Sequence, residues 1–130
     1  MSTSLTEKLS VEECRGLLES RSVGRFAFWA PAGPQVFPVN FVVRGDSIVF
    51  RTSPSHSLAS ALRNAPRGGF QVDDIDEQAR SGWSVLVTGA ASYGDDGDDG
   101  DAPQPWAGGD RSLCVRVGMD QVTGRRVLAG

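Results

Sequence analysis

The sequence predicts a mainly β protein: one domain over residues 1–130, folded as an antiparallel Greek-key β-barrel with a few short flanking helices. Three observations point there. Apolar residues alternate with a period of two along much of the chain. The runs so defined are short and are separated by turns rich in Gly, Pro and Asp. No repeated strand–helix–strand unit is present, so a parallel sheet is not expected. Closing the sheet removes exposed strand edges, which favours a barrel.

The elements follow in order. Residues 1–9 are expected to be a flexible N-terminus. Ser10-Val-Glu-Glu13 has the form of a capping box, with a hydroxyl at the N-cap and a carboxylate three residues on. It predicts a helix to about Ser20 with Cys14, Leu17 and Leu18 on one face. Gly24 opens a strand in which Phe26 and Phe28 alternate with Arg25, Ala27 and Trp29. After the turn cluster Pro31-Ala-Gly-Pro34, Phe37, Val39, Phe41 and Val43 alternate with Val36, Pro38, Asn40 and Val42. Gly45-Asp46 suits a two-residue type II′ hairpin into a third strand, Ser47 to Arg51.

Ser53-Pro54 marks a second helix start, because Pro has no N–H to leave unpaired in the first turn. Leu58, Ala59, Ala61 and Leu62 give that helix its apolar face, and it stops before Pro66-Arg-Gly-Gly69. Further strands are expected at Phe70–Asp73, Trp83–Ala91, Leu113–Val117 and Val122–Leu128. Asp73–Glu77 and residues 92–104, centred on the run Asp95–Asp101, are expected as acidic surface loops. That run lacks the residue order of a calcium loop.

Composition narrows the function. The chain has 130 residues, 39% hydrophobic and 22% charged, with a net charge of −3. That length buries a core without staples. Its cations are scattered, so a nucleic-acid partner is not expected. The polar start and the lack of a long apolar run give no leader or membrane span, and the expected location is cytoplasmic. Cys14 and Cys114 have no metal-ligand spacing and read as buried thiols; no metal site is expected.

The segment Phe50 to Leu58 carries the most chemistry. A strand ends in Arg51 and Thr52, and a helix begins at once, with Ser53, Ser55, His56 and Ser57 beside its start. Free N–H groups and the positive end of the helix dipole suit an anion, and a guanidinium suits phosphate. The same residues also make an ordinary capped surface turn, so both readings stand. Pro38-Val-Asn40 places a proline in a strand, which belongs at an edge or beside an interruption. Trp83 and Ser84, after Gly82, could border a planar ring or pack in the core. No residue stands out as a catalytic acid or base.

The succession Val23-Gly-Arg-Phe-Ala27, Val36-Phe-Pro-Val-Asn-Phe41, Ile48-Val-Phe-Arg-Thr-Ser-Pro54, Asp73-Asp-Ile-Asp76, Gly82-Trp-Ser-Val-Leu-Val-Thr-Gly89, Pro105-Trp106 and Thr123-Gly-Arg-Arg126 resembles the pyridoxamine 5'-phosphate oxidase-like proteins. The likeness is nearest to their nitroimidazole-resistance branch. The resemblance implies a split barrel that forms a homodimer with FMN at the interface and acts on a small molecule as an oxidoreductase. It implies cofactor contacts from Pro38, Val39, Asn40, Arg51, Thr52, Ser53, His56, Ser57, Trp83 and Ser84, with Trp106 and Arg126 approaching from the partner subunit. Ser57 stands where the family commonly has Lys. A deazaflavin is the alternative cofactor, for which Arg51, Arg63, Arg67 and Arg126 are candidate cations; a non-catalytic flavin-binding or interaction protein is the other alternative. A second cationic cluster for a substrate phosphate is not visible in the sequence.

Overall fold

A computed structural model describes residues 5–53, 56–95 and 113–128. Among these residues, eight strands and two helices follow in the order β1 (Leu5–Lys8), α1 (Val11–Glu19), β2 (Val23–Ala30), β3 (Gly33–Arg44), β4 (Ser47–Thr52), α2 (His56–Asn64), β5 (Arg67–Asp76), β6 (Ser81–Asp95), β7 (Leu113–Gly118) and β8 (Gln121–Leu128). All strand pairs are antiparallel.

Strands β2, β3 and β4 are joined by tight hairpins, and β5 returns through α2 to lie beside β2. That is the Greek-key order. The ring closes as β5–β2–β3–β4–β7–β6, because β6 pairs with both β5 and β7. It does so by length: residues 81–90 pair with β5 and residues 91–95 with β7. Strands β8 and β1 extend the sheet outward from β6.

All six phenylalanines lie on β2 to β5 and pack together inside the ring. Phe26 and Phe50 have ring centroids 5.0 Å apart, and Phe41 and Phe70 4.8 Å. Such tilted and edge contacts add to simple area burial. Among the described residues no polar or charged side chain is buried. Helix α1 covers one end with Cys14 and Leu18, and α2 covers another with Leu58, Ala61 and Leu62.

Helix α1 and the hairpin follow the sequence; α2 stops before Pro66 as expected, and the Pro54 of its expected start lies outside the described residues. The Ser10 hydroxyl accepts from the Glu13 N–H and the Glu13 carboxylate accepts from the Ser10 N–H, each at 3.1 Å, and Ser20 is the C-cap. Gly45 has φ +57° while Asp46 does not turn positive, as a type II′ turn requires.

Three expectations are corrected. The N-terminus is not flexible throughout, since Leu5–Lys8 pairs with Arg125–Leu128. Asp73–Asp76 is not a loop but the end of β5, paired with Ser81–Ser84. Residues 92–95 belong to β6, and the rest of the expected acidic loop, 96–104, lies outside the described residues. Asp and Gly have poor strand propensity; in β5 hairpin pairing with β6 and neighbouring arginines offset it, and residues 92–95 are held by pairing with β7. Arg21 meets Asp74 at 2.7 Å and Arg25 meets Asp73 at 3.6 Å.

Candidate functional site

Strand alternation sorts the candidate residues by face. Phe41 and Phe50 are paired in the core. Asn40 and Arg51 are the next residues beyond that pair, so both turn to the outer face of the barrel. Pro38, two residues from Asn40, shares that face and is exposed. In this half of β3 the pairing runs only to β2, because β4 joins β3 at Phe41. Pro38 therefore occupies a local sheet edge, where a missing N–H costs no ladder bond. The Asn40 amide donates to the Ser22 carbonyl at 3.4 Å.

Val39 and Thr52 turn the other way. Val39 is buried. Thr52 and Ser53 open into a cleft of about 540 Å³, walled by Phe28, Phe37, Gln35 and Leu58 and closed by the Pro31–Ala32 turn. Helix α2 starts at His56, followed by Ser57, and its Leu58 forms part of the cleft wall. The nine-residue helix thus begins at the cleft, and its unpaired N–H groups favour an anion there. The cleft lies within the range of about 300–1,000 Å³ typical of small-molecule pockets. Its hydroxyls and helix start, with Arg51 on the other face of the same strand end, suit a phosphate. Its aromatic wall suits an apolar body.

The remaining candidates lie elsewhere in the protomer. Trp83 and Arg126 are cross-strand neighbours and share one side of the sheet. Trp83 packs partly buried against the core with the Arg21 guanidinium 5.3 Å from its ring centroid, and Arg126 meets Glu7 at 3.8 Å. Ser84 faces the outside, with β5 and β2 between it and Asn40. Trp106 lies outside the described residues.

Sequence reasoning missed one juxtaposition. Lys8 and Arg125, from opposite ends of the chain, are directly paired across β1 and β8. Nothing local signals it, because the register of β1 on β8 is a property of the closed sheet. Two groups show clear electrostatic perturbation. Hydrogen bonds from the Ser10 backbone and side chain hold the Glu13 carboxyl below its ordinary value. Burial, and then the Glu13 charge, push the Cys14 thiol up. Both serve the α1 end of the barrel. Among the described residues no cluster of His, Cys, Asp and Glu could hold a metal, and no helix is long and apolar enough to cross a membrane.

The fold is a small antiparallel split barrel with a cleft at the end of β4, beside the start of α2. A family model for pyridoxamine 5'-phosphate oxidase matches residues 10–126, and the chain belongs to that family. It is 32% identical to the uncharacterized protein Rv0080 of Mycobacterium tuberculosis, over 94% of this chain and 86% of that one. The structure resembles that of the FAD binding protein from Mycobacterium smegmatis, with 34% identity, a TM-score of 0.70 and coverage of 94% and 98% of the two chains. A proposed 5-nitroimidazole antibiotic resistance protein from Bacteroides thetaiotaomicron shares the fold, with a TM-score of 0.73 at 14% identity over 98% of this chain and 91% of the other.

Proposed function

We propose that this protein binds a flavin nucleotide at the β4–α2 corner and works as a flavin-dependent oxidoreductase on a small molecule. One observation carries the reading: Thr52 and Ser53 open into an aromatic-walled cleft at the start of α2. The phosphate of FMN would be held by Thr52, Ser53 and the N–H groups of the α2 start, with His56 and Ser57 in its first turn and Arg51 at the strand end. The backbone edge of Pro38–Asn40 would lie along the flavin ring, with the Val39 side chain in the core behind it. The bound flavin supplies the hydride or electron transfer; the protein binds and orients it and excludes water. Among the described residues the cleft is lined by hydroxyls and apolar walls, which fits chemistry carried by the cofactor.

The 34% identical relative from Mycobacterium smegmatis is an FAD binding protein, and this favours a second reading in which FAD replaces FMN. The two share the riboflavin phosphate, so the same corner serves either. The homodimer is part of the proposal. Trp29 (65% exposed), Val36 (61%) and Val23 (38%) lie on the outer face of β2 and β3, beside Pro38 and Asn40. An exposed apolar face of this kind suits a second copy of the chain.

Titration of the purified protein with FMN, FAD and a deazaflavin, followed by visible absorbance and flavin fluorescence, tests the reading. Saturable binding of FMN or FAD, with bleaching by NAD(P)H, supports it. Binding of the deazaflavin alone assigns the other cofactor, and binding without reduction leaves a non-catalytic flavin protein.

A further inference from the structure

Three strands, β2, β5 and β6, lie between the corner's neighbour β3 and β8, which makes four spacings or roughly 19 Å along that part of the sheet at about 4.8 Å each. On the outer face at that far side lies a groove of about 350 Å³ lined by Thr6, Lys8, Ser84, Thr123 and Arg125, with Gln71 and Leu86 on its inner bank. Among the described residues no carboxylate lines it. Lys8 and Arg125 are directly opposed across β1 and β8, and like charges in that position destabilise a sheet. Neither side chain takes a hydrogen bond or an ion pair among the described residues. The nearby acids are engaged or turned away. Asp73 is 3.6 Å from Arg25, and Glu7 lies on the opposite side of the sheet with Arg126.

A second, apolar cleft of about 280 Å³ adjoins this groove and shares Ser84 and Arg125 with it. Its shelf is built on Gly82, which is paired with Ile75 on one side and Val127 on the other. A Cβ on Gly82 would meet the Ile75 Cδ1 at 2.8 Å and the Asp74 carbonyl at 2.6 Å. The missing side chain lets Ile75 lean over the strand and, with Val127, make a flat apolar surface. Ile75 is 61% exposed there. Asp76 and Glu77 border this cleft only at the β5–β6 turn, where Asp76 accepts from the Ala79 N–H at 3.0 Å.

We propose that these adjoining clefts form one binding site, separate from the flavin corner, for a small molecule with a planar apolar body and a phosphate or carboxylate end. The body rests on Ile75, Gly82 and Val127. The anion lies between Lys8 and Arg125, with the hydroxyls of Thr6, Ser84 and Thr123 as further donors. An oxyanion there relieves the repulsion between the two cations. The site stands on its own geometry and does not require that the corner bind flavin.

The probe is 1-naphthyl phosphate, titrated into the full chain by calorimetry, with 1-naphthoate, 1-naphthol and inorganic phosphate alongside. The expected result is saturable binding of the phosphate or the carboxylate probe, tighter than either 1-naphthol or inorganic phosphate, and weakening with added salt. The tighter of the two anionic probes identifies the anion. Lys8→Gln and Arg125→Gln should each weaken it about tenfold, the scale of one charge-assisted hydrogen bond, with a melting temperature equal to or slightly above that of the wild type, since each removes one of the opposed charges. Thr52→Ala should leave it unaltered. Absence of saturable binding overturns the proposal, as does binding indifferent to both cation substitutions. Competition by FMN, together with a loss of FMN affinity in Arg125→Gln, also overturns it by making the groove part of the flavin site.

Discussion

The sulfur of Cys14, on α1, rests directly against the backbone of Gly124 on β8. A Cβ at residue 124 would meet that sulfur at 2.5 Å and Leu9 Cδ1 at 3.2 Å. The helix can approach the sheet this closely only because the strand has no side chain there. Gly124→Ala should therefore destabilise the fold by about 1–3 kcal/mol, the usual cost of overpacking. Combining it with Cys14→Ala should recover part of that loss. Urea unfolding of the two single variants and the double variant reads the coupling directly.

The same burial governs thiol chemistry. Cys14 is fully buried and Cys114 nearly so, and burial followed by the Glu13 charge pushes the Cys14 thiol up. Only the thiolate is an effective nucleophile. Labelling of the folded protein at pH 8 with a maleimide should therefore be slow at Cys14 and become rapid on adding denaturant. Mass spectrometry of a labelling time course distinguishes the two conditions.

The capping box gives α1 a pH dependence with a definite sign. Hydrogen bonds from the Ser10 backbone and side chain lower the Glu13 carboxyl in the folded state. Its contribution is present above the ordinary carboxylate range and is lost as the pH falls through the lowered folded value. Ser10→Ala should cost about 1 kcal/mol at neutral pH, as N-cap losses do. The gap between wild type and variant should narrow in acid, measured by denaturation across the pH range.

At the corner, the phosphate contacts are separable from the ring contacts. Arg51→Ala and Thr52→Ala should weaken FMN, with Arg51→Ala costing about 1.5–3 kcal/mol. Both should leave riboflavin, which lacks the phosphate, bound as before. Equal losses for both ligands would mean that the substitutions act on the fold or on the ring. Fluorescence titration with the two ligands makes the comparison.

The interface has its own readout. Trp29→Glu places a charge on the exposed β2–β3 face without touching the core. It should convert the proposed dimer to a monomer by light scattering while leaving the circular dichroism unchanged. A wild-type chain that is already monomeric would remove the dimer from the proposal.

The barrel was legible wherever a local pattern decides the structure. Ser10 and Glu13 spelled out a cap, Gly45 a turn, and the alternating phenylalanines one wall of the core. The ends of β5 and β6 were hidden because Asp73, Asp74 and Asp76 favour loops by themselves. Their strand geometry comes from pairing with Ser81–Ser84 and from Arg21 and Arg25. Thr52 and Ser53 were placed at a helix start from sequence, and they line a cleft there. That Arg51 turns to the other face follows from the alternation, once Phe50 is known to face inward. The separation of Trp83 and Arg126 from the corner was not legible, because it depends on the order of strands around the ring.

Pairing of Leu5 with Leu128 brings together backbone from the two extremes of the described chain, and such a contact carries the largest loop-closure entropy in the molecule. Hairpins such as β2–β3 enclose short loops and hold without it. The β1 clasp is thus the cheapest piece to peel away, and exchange of its amide hydrogens should be the fastest among the strands. Each peeling event carries Lys8 off Arg125 and dismantles the groove, while the corner at Thr52 stays whole. A guest seated in the groove would act as a latch, and its occupancy would register as slower fraying of the seam between the two ends of the chain.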